Sequence, residues 1–351
     1  MTESARASSG SSSRSSSRSS SRSCTAIAGT NIALVKYWGK RNGPLNLPAA
    51  GSLSLTLREL DTRTTVRFDE QLGPEDRVRL NGQDADEGTR RRVVGFLDLV
   101  RQQAGVTARA EVVSENTVPT AAGLASSASG FAALALAASR AAGLTLEPEA
   151  LSVLARRGSG SAARSIFGGL VEMQAGTRED GADAHARPLP EGEAWPLRLV
   201  VAITAEGPKA IGSTEAMRRT AQTSPYYQPW IDSVAADLRD ARAAIAERNL
   251  ARLGRVAERS AMRMHASALA ADPPILYWSA ATIAAMDTVR QLRTHGLDAF
   301  FTIDAGPHVK VLCEQDSAAD VEAALAKTPG VLRTIVASPG RGARILQETT
   351  A

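Results

Sequence analysis

Apolar positions change period repeatedly along this chain, and each change marks an element. Ile32, Ala33, Leu34 and Val35 make an unbroken apolar run inside Thr30–Tyr37, as a buried strand does. Ser52–Leu57 alternates hydroxyl residues with leucine, which predicts a strand with one buried face. Thr62–Phe68 and Val78–Leu80 read as two further strands, the second followed by an Asn81-Gly82 turn. Glu87–Gln103 has helical spacing and stops at Gly105, and Ala108–Ser114 returns to strand. An Ala-rich helix should open just before Phe131 and run to about Ala142, where Gly143 can take the left-handed stop. A shorter helix covers Glu147–Arg157, a strand covers Leu170–Gln174, and Arg178–His185 is a polar loop.

The second half begins with the β-branched run Leu197–Thr204. Ser233–Ala270 reads as two helices broken near Asn249, and Leu276–His295 as another after the Pro273-Pro274 break. Strands at Phe300–Asp304 and His308–Cys313 flank Ala305-Gly306-Pro307; a helix at Ala318–Lys327 and a strand at Val331–Ala337 follow. Strands and helices mix without βαβ alternation, so the expected class is α+β. The expected layout is a disordered Ser/Arg-rich tail at 1–23, an N-terminal domain at 24–196 and a C-terminal domain at 197–351.

Charge matters mainly at the tail. Arg6, Arg14, Arg18 and Arg22 against Glu3 give it about +3 of the formal +4 carried by the 351 residues, so the folded body is nearly neutral. That argues against a nucleic-acid-binding body. The tail has no apolar core of a secretory signal, and no apolar run is long enough for a membrane helix. Two cysteines cannot frame a fold of this size by disulfides, so a cytoplasmic protein is expected. Neither the cysteines nor the four histidines have zinc-ligand spacing.

Four segments carry chemistry. Pro119–Ser129 (PTAAGLASSAS) joins a small-residue loop to a helix start, with Gly123 and Ala125 leaving the backbone open and Ser126 and Ser127 offering hydroxyls. The first N–H groups of a helix complete a phosphate cradle, pointing to ATP. The segment lacks the Walker A and dinucleotide patterns. In NIALVKYWGKR, Lys36, Lys40 and Arg41 crowd Tyr37 and Trp38 around a bend at Gly39, a set of donors suited to a phosphorylated ligand. In RRGSGSAARSIFGG, Ser159, Gly160, Ser161 and Arg164 can wrap a phosphate or carboxylate. Asp304, at a strand end before a tight turn, is an acid placed for proton chemistry. This is more anion-binding equipment than one ATP needs, so the second substrate should itself be a phosphate or diphosphate.

The first of these segments resembles the nucleotide loop of the GHMP small-molecule kinase superfamily. Taken in order, NIALVKYWGKR, SENTVPTAAGLASSASG, RRGSGSAARSIFGGLVE, GSTEAMRRTAQTSP and FTIDAGPHV resemble the diphosphomevalonate decarboxylase family, from about Thr25 to the C-terminus. The resemblance implies a two-domain GHMP kinase fold, with a ribosomal-S5-like first half, a ferredoxin-like second half and the active site in the cleft between them. It implies ATP and Mg²⁺, mevalonate 5-diphosphate as substrate, a homodimer, and no nucleic-acid or membrane partner. Tyr37, Trp38, Gly39 and Lys40 would meet the diphosphate, with Lys36 beside them, as would Ser159–Arg164. Arg164 could also hold the carboxylate. Ser126 and Ser127 would lie at the ATP phosphates, with Ser127 at the metal; Arg77 and Ser213 would serve the nucleotide. Ser213 and Thr214 would sit on a mobile loop that closes over the site. Asp304 would orient or deprotonate the C3 hydroxyl. The chain departs from the family at Ala50 and Gly51, where Asn and Ser are frequent, and at His308, where Asn is usual. The near alternatives are a phosphomevalonate decarboxylase or a mevalonate-type kinase; the distant one is a basic RNA-binding protein.

Overall fold

The computed structural model describes residues 22–117, 126–207 and 209–349. Gly123 and Ala125 lie outside the described residues, and Ser126 is described only as the first residue of a helix. The first half runs β1 (Arg22–Val35), β2 (Lys40–Asn42), β3 (Leu47–Pro48), β4 (Ser52–Asp69), β5 (Arg77–Leu80), β6 (Gln83–Asp84), α1 (Glu87–Ala104), β7 (Arg109–Asn116), α2 (Ser126–Ala141), α3 (Pro148–Gly158), α4 (Ala162–Ser165), β8 (Leu170–Met173) and β9 (Ala186–Pro188). The second runs β10 (Leu197–Ile203), α5 (Ser213–Thr223), α6 (Tyr227–Ala246), α7 (Leu250–Leu269), α8 (Ala280–Thr294), β11 (Phe300–Ile303), β12 (Val309–Glu314), α9 (Ala318–Ala326), β13 (Arg333–Ala337) and β14 (Arg344–Thr349).

The first sheet has the order β14-β1-β4-β7-β5-β6, with β8 and β9 continuing from β4; the second has the order β11-β12-β10-β13. Local signals set many element ends. Asp86 caps α1 by accepting from the Thr89 N–H at 3.0 Å, and Gly105 closes it at φ 67°. Asn249 caps α7 through the Arg252 N–H, which places the expected break between α6 and α7. The alanines of α2, buried from Ala132 to Ala141, let that helix lie close on β1 and β4.

Several expectations are corrected. The two strands expected at Ser52–Leu57 and Thr62–Phe68 are one continuous strand, β4, because both stretches pair with β1. Its alternating stretch buries both faces, not one, because Ser52, Ser54 and Thr56 are covered as completely as the leucines. The tail expected to end at residue 23 gives up Arg22 and Ser23 to β1. The C-terminal half does not keep its own end: β14 returns to pair with β1 in the first sheet. α6 starts at Tyr227, ahead of Ser233, and α8 starts only after the Ser279 cap.

The two halves share a core. Leu34, Leu53, Leu55 and Leu57 of the first sheet join Leu199 and Val201 of β10, Leu253 and Val256 of α7 and Phe300 of β11 in one buried cluster. The other face of β10, Val200 and Ala202, packs under α8 and α9. This double burial explains why the β10 run is apolar without alternation. Burial of this continuous apolar surface fixes the angle between the halves and thus the cleft.

Candidate active site

A cavity of about 590 Å³ opens where β1 ends and the segment after it meets α4, the start of α5 and the end of β11. Among its described lining residues, five cationic side chains (Lys36, Lys40, Arg92, Arg164 and Lys209) face one carboxylate, Asp304. Such an excess demands an anionic occupant, since unpaired buried charge is costly.

Arg164 is 2% exposed. Its guanidinium is held by neutral groups: Nη1 donates to Ser52 Oγ at 2.6 Å, Nε to Ser54 Oγ at 2.9 Å and Nη2 to Asn31 Oδ1 at 3.0 Å. The polar side of β4 is therefore buried as a cradle for this cation, which is why its alternation did not mark a solvent face. Burial pulls the Arg164 pKa down to about 10, still far above neutrality. Its positive charge is intact, and its hydrogen-bond partners leave it uncancelled.

Asp304 follows β11 and is 29% exposed in its side chain. Lys36 Nζ lies 2.7 Å from Oδ1 and Lys310 Nζ 3.2 Å from Oδ2. Burial alone would push this carboxyl up, but Lys310 and Lys36 outweigh it and hold the group well below the usual carboxylate range. Lys36 is 2% exposed; burial lowers it to about 8, with Asp304 pulling the other way. His265 of α7 lies behind this group, driven down to about 3 chiefly by burial, and is neutral at pH 7.

Tyr37 and Trp38 carry a phenolic O–H and an indole N–H that are buried without a partner. Both residues line the cavity, so a ligand's oxygens can satisfy these donors. Burial pushes the Tyr37 phenol well above its ordinary value, keeping it protonated as a donor. Two glycines make room for aromatic rings here. A Cβ on Gly160 would sit 2.2 Å from the Tyr37 hydroxyl, and one on Gly39, at φ +119°, would sit 1.9 Å from that of Tyr227. Gly51, one of the departures noted above, is less confined: a Cβ would meet the tip of the Leu238 side chain at 2.8 Å and the Met173 carbonyl oxygen at 3.0 Å.

The structure brings Lys36, Tyr37, Trp38, Lys40, Ser127, Ser159, Gly160, Ser161, Arg164, Ser213, Thr214 and Asp304 to this one cavity. Gly39 lies at its edge, against Tyr227. Ser213 and Thr214, expected on a loop, form the first turn of α5. Arg77 is exposed on β5 and does not line the cavity; Arg41 turns away to the Arg178 carbonyl at 3.0 Å. Sequence reading missed Arg92, Lys209, Asn31 and Asn46, which also line it, and Lys310 behind Asp304. Arg92 sits in an Arg90-Arg91-Arg92 run that reads as a solvated helix face; only the fold turns it over the Phe131 ring, 5.0 Å from its centroid.

A second cavity of about 150 Å³ adjoins the first and shares Arg92 and Ser127 with it; Thr62, Asn116 and Phe131 line its floor. Ser127 is exposed in the first turn of α2, its hydroxyl 3.5 Å from that of Ser159. A long helix that starts here without an acidic residue in its first turn suits phosphates at the junction of the cavities. Among the described residues no group of three His, Cys, Asp or Glu is arranged to cage a metal. A Mg²⁺ ion, which keeps waters and binds through phosphates, fits a site that offers it a serine hydroxyl.

Family models match both halves: a diphosphomevalonate decarboxylase-like N-terminal domain over residues 28–186 and a mevalonate 5-diphosphate decarboxylase C-terminal domain over 199–337. The chain is 36% identical over 320 residues to a diphosphomevalonate decarboxylase of Homo sapiens, covering 86% of this chain and 79% of the relative. It is 38% identical over 312 residues to one of Aspergillus fumigatus, covering 84% and 77%. Among solved structures, mevalonate diphosphate decarboxylase from Staphylococcus aureus superposes with a TM-score of 0.89 at 38% identity, covering 93% of this chain and 98% of that one. The enzyme from Enterococcus faecalis, described in terms of mevalonate diphosphate mediated ATP binding, gives 0.86 at 43% identity, covering 93% and 99%. A third structure, MDDEF in complex with MVAPP, AMPPCP and magnesium, gives 0.87 at 44%, covering 93% and 99%. With both halves matched, and with the cationic cleft lying between them, the chain belongs to the diphosphomevalonate decarboxylase family.

Proposed function

We propose that this protein converts mevalonate 5-diphosphate to isopentenyl diphosphate, CO₂, ADP and phosphate, using ATP and Mg²⁺. One observation carries the reading: a buried guanidinium with only neutral partners faces a clamped carboxylate across a cavity rich in cations. A substrate with a diphosphate at one end and a carboxylate and tertiary hydroxyl at the other supplies the anions that this cavity lacks.

ATP, bound with Mg²⁺, supplies the phosphoryl group that makes the C3 oxygen a leaving group. Ser127 and the start of α2 would hold its phosphates, and the small cavity beyond Phe131 would take its nucleoside. Tyr37, Trp38, Lys40 and the Ser159–Ser161 turn would bind the substrate diphosphate, and their fixed donors would orient it. Arg164 would hold the carboxylate so that the C–C bond to it lies ready to break. Asp304 would accept a hydrogen bond from the C3 hydroxyl. Loss of phosphate leaves positive charge at C3; the bond from C2 to the carboxylate carbon then breaks, its electron pair forms the C2–C3 double bond, and the carboxylate leaves as CO₂. Lys36, Lys40 and Lys209 would offset charge on the transferred phosphoryl group. Among the described residues, no helix is long and apolar enough to cross a membrane. Cys24 and Cys313 are free and buried, which suits a reducing cytoplasm. A homodimer rests on the family resemblance.

The test is direct. Purified protein with ATP and Mg²⁺ is offered mevalonate, its 5-phosphate and its 5-diphosphate, and CO₂, ADP and phosphate are followed. The expected result is CO₂ release from the diphosphate alone. Preference for the monophosphate, or ADP release without CO₂, refutes the assignment.

A further inference from the structure

Lys310 sits in the middle of an otherwise apolar strand. In β12, Val309, Val311 and Cys313 face one core, while Lys310 and Leu312 point the other way, toward the core shared by the halves. Lys310 is 3% exposed, paired in register with Val201 of β10 and Thr302 of β11. An ammonium at such a place is costly unless paired. Its ammonium donates to the His308 carbonyl at 3.3 Å and lies 3.2 Å from Asp304 Oδ2. Lys36 approaches the opposite oxygen, Oδ1, at 2.7 Å, and is itself tied to the Ala33 carbonyl at 2.8 Å.

We propose that Lys310 is a positioning residue of this site: with Lys36 it holds the Asp304 carboxylate by both oxygens, so that Asp304 is a fixed, ionised acceptor for the substrate hydroxyl and does not keep its proton. The proposal rests on the decarboxylase reading above. The other charged or titratable groups facing Asp304 are Lys209 from the segment after β10, Arg164 from α4 and His265 from α7. The first two are cations and the third is neutral, so of the influences on Asp304 only burial favours its protonation, and Lys310 and Lys36 outweigh it. In the transfer, the bond from the C3 oxygen to phosphorus forms as the bond from phosphorus to the ADP oxygen breaks, its electron pair leaving on ADP. The hydroxyl proton passes to an oxygen of the transferred phosphoryl group and departs with it as hydrogen phosphate, so Asp304 ends as it began.

Lys310→Met removes the charge at similar length, and Lys310→Arg keeps it. The first readout needs no turnover: the ¹³Cγ resonance of Asp304, assigned by its loss in Asp304→Asn, is followed with falling pH in the unliganded protein. The wild-type resonance should keep its ionised position through the interval where an ordinary aspartate titrates, with its inflection below that of an unperturbed carboxylate. In Lys310→Met the inflection should rise by about one to three units. The second readout is kinetic. Lys310→Met should lose about 10- to 100-fold in kcat with KM for mevalonate 5-diphosphate within about threefold, and Lys310→Arg should recover most of kcat. Thermal unfolding checks that each variant folds, and Lys310→Gln serves if the methionine does not. A wild-type Asp304 that titrates in the ordinary range, or a Lys310→Met protein with unchanged resonance and kcat, overturns the proposal. A wild-type protein that releases no CO₂ overturns the decarboxylase reading instead, and the resonance still decides what Lys310 does to Asp304.

Discussion

Gly160→Ala tests the steric logic of the site with one added methyl group. The glycine does not occupy the left-handed region, so alanine is tolerated by the backbone, and the cost comes from the neighbour. The new Cβ would lie 2.2 Å from the Tyr37 hydroxyl oxygen, 2.6 Å from Cζ and 3.1 Å from Cε1, against ordinary contact from 3.4 Å. Tyr37 is packed beneath Arg164, whose Cζ stands 6.0 Å from the ring centroid, so the ring must retreat within the cavity or the Gly160 turn must lift. Either movement is about 1 Å, a displacement that at a positioning group costs on the order of 10²-fold in rate, or about 2.7 kcal/mol of transition-state stabilisation. Overpacking of this kind also costs about 1–3 kcal/mol of fold stability. Steady-state ADP and CO₂ release with mevalonate 5-diphosphate gives kcat/KM, and thermal unfolding gives the stability term. Tyr37→Leu removes the ring, so Gly160→Ala added to it should do little further harm. Wild-type kcat/KM and melting temperature in Gly160→Ala, or losses that simply add in the double variant, would refute the reasoning.

The remaining predictions address charge and packing. Lys36, lowered to about 8 by burial, should lose its proton as pH rises through that value, so activity should fall on the alkaline side of pH 8. Because its folded pKa lies below the ordinary 10.5, its contribution to stability should rise over the same interval; a melting temperature that falls in step with activity would mean unfolding, not titration. Arg164→Met should lower kcat/KM by about 10³-fold, the worth of one charge pair at about 4 Å in a partly screened site, and weak binding of CO₂-releasing substrate should persist through the diphosphate contacts. A loss under tenfold in that assay would remove Arg164 from the carboxylate. Gly254→Ala brings a Cβ to 2.0 Å from Phe300 Cγ where α7 packs on β11. It should lower thermal stability by about 1–3 kcal/mol while the kcat of the folded fraction stays near wild type, and a selective loss of kcat would contradict its distance from the chemistry.

Much of the fold was legible because its signals are local. The 3.6-residue and two-residue periods, the Gly105 stop and the Asn249 break depend on neighbours a few residues away, and the structure keeps them. Charge placement was less legible. A lysine or an arginine reads as solvated in a sequence, yet Lys36, Arg164 and Lys310 are among the buried groups, because burial is set by what packs on a strand from far along the chain. The serines of Ser52–Leu57 show the same thing: their period predicted an exposed face, and α4 covers it with Arg164.

By itself the sequence determined the α+β class, most of the elements, and the segments that hold anion-binding chemistry, since each is written in contiguous residues. Tertiary structure alone decided that β14 closes the first sheet, that Arg92 and Lys209 line the cavity while Arg77 and Arg41 do not, and that the Asp304 carboxylate lies between the ammoniums of Lys36 and Lys310. The physical reason is that charge state and cavity membership depend on desolvation and on partners 268 residues apart, as Lys36 and Asp304 are, and no local pattern encodes a neighbour at that separation.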